Sequence, residues 1–94
     1  MSGAAQRLDK WLWCARFLRR REDAAALCEK GRIRIAGRVV AKASAMVRAG
    51  DVLTFPLGPH IRTVKVLGFA ERRGGAELAR TLYEDLYPPE PTPP

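Results

Sequence analysis

Four side chains near the N-terminus have the types and spacing of an anion-binding surface. On a helix beginning at Leu8, 100° per residue brings Asp9, Trp13, Arg16 and Arg20 to one side. Two guanidiniums can fork onto phosphate oxygens, and an indole beside them can stack on an unpaired base. The carboxylate of Asp9 is expected to pair with Arg16 or Arg7 and fix their direction, not to touch the ligand. Further basic positions surround this group: Arg7, Lys10 and Arg21 nearby, then Lys30, Arg32 and Arg34. Lys42 and Ser44 add a charge and a hydroxyl donor suited to phosphate.

Nothing comparable exists for catalysis. The one histidine, His60, sits in a predicted turn. Ser2 and Ser44 have no base within a recognisable grouping. The acids are scattered without metal-ligand spacing, and Gly74-Gly75 is not a phosphate loop. Cys14 and Cys28 fit no zinc spacing and are expected as reduced thiols. The expectation is a binding protein, not an enzyme, with no cofactor and no metal.

Charge points the same way. The 94 residues carry 17 basic and 10 acidic side chains, net +7. The excess is concentrated at the front: residues 7–38 are net +6, residues 39–70 net +3 and residues 71–94 net −2. Thirteen of the basic residues are arginine. A basic front and a slightly acidic end suit a polyanion.

The elements that must position these residues are legible as periodicities. Leu8, Trp11, Leu12, Ala15 and Leu18 recur at helical spacing and form a core stripe, so the first helix is expected to run to about Leu18 or Arg19. Trp11 belongs to that stripe and Trp13 to the surface. A second helix is expected from about Arg21 to Lys30, with Glu22 and Asp23 at its positive end and Gly31 as its stop. Arg32-Ile33-Arg34-Ile35 alternates as a strand, turned by Ala36-Gly37 into a hairpin with residues 38–42. Residues 47–55 read as loop then strand, residues 56–59 as a turn, and residues 61–69 as another strand. Leu78, Leu82 and Leu86 are four apart, which predicts helical character over 75–86. Residues 1–6 are expected to be loose, and the proline-rich residues 88–94 extended.

The ordered set Arg7-Leu8-Asp9, Trp11-Leu12, Arg16, Arg21, Ala24, Gly31, Ile33, Ile35, Gly37, Ser44, Val47 and Gly50-Asp51 resembles the S4 RNA-binding domain. The opening, residues 7–13, is most like the small bacterial heat-shock branch, whose members bind the large ribosomal subunit. The resemblance implies an α+β, S4-like (alpha-L) fold. Two N-terminal helices would pack on a small, mostly antiparallel sheet, followed by a short C-terminal helix. The resemblance covers the motif in 7–55 of an RNA-binding domain expected over 7–70; the residues themselves predict a flexible 1–6, a helical segment over 71–87 and a tail over 88–94. S4 domains present their first helices and adjoining hairpin loop to structured RNA. By resemblance this places Arg16, Arg20 and Arg21 on helix and loop, with Lys30, Arg32 and Lys42 at the hairpin edge.

The implied partner is structured ribosomal RNA of the large subunit, in recycling of stalled subunits after heat stress. A cytoplasmic monomer with no membrane segment is expected. Three departures stand out. Arg20 replaces a serine or threonine cap, Ala36 replaces the asparagine of a tight Asn-Gly turn, and the tail is not basic. Two other readings follow from the same residues: a helix-turn-helix module on duplex DNA, and a protein-interaction adaptor using the sheet and the tail.

Overall fold

The computed structural model describes residues 4–86. The expectations for Met1–Gly3 and for the proline-rich tail lie outside the described residues. Ten short elements follow in order: β1 (Ala5–Arg7), α1 (Leu8–Cys14), α2 (Arg21–Glu29), β2 (Ile33–Ile35), β3 (Arg38–Val40), β4 (Met46–Arg48), β5 (Val52–Leu57), β6 (His60–Val66), α3 (Ala76–Arg80) and β7 (Tyr83–Asp85). The main sheet has the order β3-β2-β5-β6-β7, and β1 pairs with β4 in a second, two-stranded sheet. Every pairing is antiparallel. The α+β architecture expected from the sequence is the observed one.

Period-two alternation decides which sheet face is buried. Ile33, Leu53, Phe55, Val64 and Val66 point to the helices and are fully buried. Arg34, opposite Thr54, takes the other face and is exposed. The helices answer with Leu8, Trp11, Leu12, Ala24 and Cys28, all buried in the same cluster. Trp11 is wholly enclosed, and its indole Nε1 donates to the Gly68 carbonyl at 2.9 Å.

The first helix is shorter than its periodicity predicts: it ends at Cys14. Arg16 adopts φ 65°, the left-handed region. The Arg16 N–H donates to the Trp13 carbonyl at 3.0 Å and the Phe17 N–H to the Leu12 carbonyl at 3.1 Å. These two bonds form a Schellman ending with arginine in the place usually held by glycine. Phe17 and Leu18 leave the helix yet still pack on the core. The expected stripe of Asp9, Trp13, Arg16 and Arg20 is therefore divided: the first two lie on α1 and the last two on the connection to α2.

Other boundaries also shift. Ala5 and Gln6 are not loose; they pair with Arg48 and Val47, and Gln6 Nε2 donates to the Ala70 carbonyl at 2.9 Å. Pro56 belongs to β5, and the turn narrows to Gly58-Pro59. Helical character over 75–86 holds only for α3. Tyr83–Asp85 instead adds an edge strand to β6, because Val66 and Val64 offer register partners there. The Ala36-Gly37 hairpin is tight after all. Ile35 pairs directly with Arg38, and both turn residues have positive φ, 52° and 84°. That is the pattern of a type I′ turn, with alanine taking the first left-handed position.

Candidate nucleic-acid interface

Asp9 organises the start of α1. Its side chain is only 6% exposed, and a buried carboxylate requires partners. Arg7 supplies a fork, Nε to Oδ1 and Nη2 to Oδ2, both at 3.2 Å. Arg21, from the first turn of α2, brings Nη2 to 3.5 Å from Oδ1. The Lys10 backbone N–H donates to Oδ1 at 2.7 Å. The arginines remain 50% and 42% exposed, so the carboxylate aims them without hiding them. This answers the expectation for Asp9: it pairs with Arg7, not Arg16, and gains Arg21 as a second partner.

The loop carrying Lys42 and Ser44 closes on the same place. A helix start leaves backbone donors without partners. Here the Leu8 N–H donates to the Ala45 carbonyl at 2.7 Å and the Asp9 N–H to the Ala43 carbonyl at 3.3 Å. Gly31, at φ 72°, ends α2 beside Ala41. The loop thus runs between the start of α1 and the end of α2. Lys30, Arg32, Lys42 and Ser44 are all exposed. Arg7, Lys10, Arg21, Lys42 and Ser44 surround one corner, and Lys30 and Arg32 extend it along the exit from α2.

Arg16 and Trp13 are drawn elsewhere. Arg16 Nη1 donates to the Gly74 carbonyl at 2.9 Å. Arg73 donates through Nε to the Trp13 carbonyl at 3.0 Å and through Nη2 to the Leu18 carbonyl at 3.3 Å. Its guanidinium carbon lies 5.9 Å from the Trp13 ring centroid, within cation–π range. Residues 68–74 form a strap along α1, fastened by Gln6, Trp11 and Arg16 from one side and Arg73 from the other. Arg73 had no place among the sequence-read candidates. Its only signal was the Arg72-Arg73 pair in an otherwise polar break.

Arg20 precedes α2 and makes no side-chain cap; its Nε lies 3.3 Å from Asp23 Oδ2. Arg34 stands apart, on the sheet face away from the helices. Both thiols are buried, and desolvation pushes both pKa values up. Cys28 reaches about 12, burial first and the Asp9 charge second. At Cys14, burial outweighs the opposing charges of Lys10, Arg21 and Arg73. Neither thiol is a nucleophile at neutral pH. Among the described residues no cluster of histidine, cysteine and carboxylates could hold a metal ion. Among them, too, no helix is long and apolar enough to cross a membrane.

The first turn of α2 bears on the duplex-DNA reading. A recognition helix puts its N-terminal residues against base edges. Here those positions include Glu22 and Asp23. Their charge opposes entry into a groove lined by phosphates.

Comparisons with known proteins agree with this fold. The S4 domain family model matches residues 6–53. A heat shock protein 15 homolog of Haemophilus influenzae is 37% identical over 79 residues, 84% of this chain and 60% of that protein. The RQC P-site tRNA stabilizing factor of Halalkalibacterium halodurans is 42% identical over 78 residues, 83% of this chain and 86% of that protein. The heat shock protein 15 of Vibrio cholerae, solved as a trimer, superposes with a TM-score of 0.80 at 35% identity. That match covers 87% of this chain and 82% of the other. The chain spans about three-fifths of the length of its heat shock protein 15 relatives. The matched residues contain α1, α2, β2, β3 and β4 and all of β1 but Ala5, and the chain belongs to the S4 domain family.

Proposed function

We propose that this chain is a non-catalytic RNA-binding protein of the cytoplasm that recognises structured ribosomal RNA on the large ribosomal subunit. The observation that carries the reading is the buried Asp9 carboxylate, which holds Arg7 and Arg21 side by side at the protein surface. Paired guanidiniums held in one direction meet successive phosphates with little side-chain entropy left to lose. Lys10, Lys42 and Ser44 complete the corner, and Lys30 and Arg32 lengthen it along the path of a strand. Arg16 and Trp13 are held by the strap and lie outside the corner, Arg20 sits on the connection to α2, and Arg34 contributes charge alone. The setting of this reading is large subunits stalled under stress; relatives named for heat shock and for stabilizing P-site tRNA support it.

Affinity on this reading comes chiefly from phosphate contacts, so it falls steeply with salt. Base discrimination is modest, because A-form helices are read through shape and 2′-hydroxyls. The test is binding to purified large subunits, ribosomal RNA fragments and duplex DNA across one salt series. Preference for subunits and RNA at moderate salt is expected. Equal or tighter binding to duplex DNA would transfer the corner to the helix-turn-helix reading.

A further inference from the structure

A second basic concavity lies away from Asp9, where the α1–α2 connection meets α3 and the far end of the main sheet. It is a solvent-open concavity of about 300 Å³, and its wall carries three guanidiniums, Arg16, Arg62 and Arg80, beside the rings of Phe17 and Tyr83. No carboxylate lines it. Small side chains such as Ala79 keep it open.

Each cation is held differently. Arg62 lies on the helix-facing side of β6, paired with Asp85 across the sheet and 5.3 Å from the Phe17 ring centroid. Asp85 neutralises it, and among the described residues Arg16 and Arg80 form no ion pair. Arg62 Nε and Asp85 Oδ1 are both shielded from solvent without a hydrogen-bond partner among the described residues, so this pair is turned inward and offers neither atom to a ligand. Arg16 is fixed at the rim by its bond to Gly74, and Arg80 is exposed on α3. Phe17 and Tyr83 sit with ring centroids 4.7 Å apart and form the apolar side.

This combination selects a ligand class. Guanidiniums on a wall without carboxylates select an anion. Rings beside guanidiniums select a flat π system as well. A volume near the lower limit for ligand pockets admits one small molecule, not a helix or duplex. A carboxylate side chain would satisfy the charges and leave the aromatic wall unused. We propose that the concavity binds a single nucleotide, its phosphate at Arg16 and Arg80 and its base against Tyr83 and Phe17. The nucleotide is either free or an unpaired residue of the bound RNA. Only the second source rests on the RNA-binding reading above.

The experiment is an NMR titration of the full chain with AMP, adenosine and inorganic phosphate. Arg80→Ala removes a charge at an exposed position, and Ala76→Trp fills the mouth without altering charge. AMP is expected to shift the resonances of Arg16, Phe17 and Tyr83 saturably, with adenosine and phosphate each weaker by about tenfold, the loss of one stacking or charge contact. Both substitutions should weaken AMP by a similar factor. Reduced affinity of Arg80→Ala for ribosomal RNA fragments identifies RNA as the source, and unchanged affinity identifies the free nucleotide. Phosphate binding as tightly as AMP, or AMP binding untouched by Ala76→Trp, overturns the proposal. RNA binding with no AMP shift removes the concavity alone, and AMP binding with no RNA affinity removes the RNA reading alone.

Discussion

Two pairs of arginines flank α1, and they are held by different chemistry. Arg7 and Arg21 share the carboxylate of Asp9 and stay about half exposed. Arg16 and Arg73 donate to backbone carbonyls of Gly74, Trp13 and Leu18. A carboxylate is one compact acceptor, so it gathers guanidiniums at a point and turns their remaining N–H groups outward. Carbonyls are spread along the chain, so they use guanidiniums as ties between segments. The same residue type thus makes a presenting surface on one side of the helix and a structural strap on the other.

The strap side depends most on packing, so the largest effect is expected there. Trp11→Ala should cost about 3–5 kcal/mol in chemical denaturation, the range for emptying an enclosed aromatic site. Trp13→Ala, half-buried beneath Arg73, should cost only about 1 kcal/mol. Comparable losses would mean that the strap, not the core, carries the helix. On the presenting side, Asp9→Asn keeps shape and removes the charge that aims Arg7 and Arg21. It should lower stability by about 1–2 kcal/mol, less than a fully buried pair because both arginines reach solvent. Ribosomal RNA affinity should fall about tenfold, the equivalent of 1.4 kcal/mol.

A gain is expected at the hairpin between β2 and β3. Ala36 sits at φ 52°, which costs an L-residue roughly 1 kcal/mol that asparagine largely avoids. Ala36→Asn should therefore raise the melting temperature by a few degrees, as about 1 kcal/mol does in a domain of this size. A lower melting temperature would contradict the I′ geometry. The smallest effect at neutral pH concerns Cys28. Its folded pKa is raised from 9.0 to about 12. The fold therefore keeps a proton that the unfolded chain releases above pH 9, and stability falls as pH rises between those values. Cys28→Ala should flatten that part of a stability–pH curve and leave its slope below pH 8 unchanged.

Much of this was legible in the sequence where the signal is local. Trp11 in the core, the alternation of Ile33 and Arg34, and Gly31 as a helix stop follow from period and residue type. The S4 resemblance supplied the architecture that joins them. The end of α1 was not legible, because Arg16 takes a glycine conformation and the apolar spacing continues to Leu18. β1 and β4 are three residues each, too short to show alternation, and their pairing is set by distant chain. Leu78, Leu82 and Leu86 are spaced as a helix, yet the free edge of β6 captures Tyr83–Asp85. The sequence marks Asp9 as a positioning residue, but its bond to Arg21 depends on how two helices pack, which no spacing reports. Arg73 was invisible for the same reason.

The central claim is that the Asp9 corner, not positive charge in general, meets the ribosome. The most direct measurement is co-sedimentation with purified large subunits at moderate salt, comparing Arg7→Ala/Arg21→Ala with Arg72→Ala/Arg73→Ala. Each double variant removes two arginines, so net charge is matched. The account predicts loss of binding by at least about tenfold in the first, as two phosphate contacts disappear, and near-normal binding in the second wherever it remains folded. Equal losses in both would show that charge alone drives association and would contradict the site assigned here.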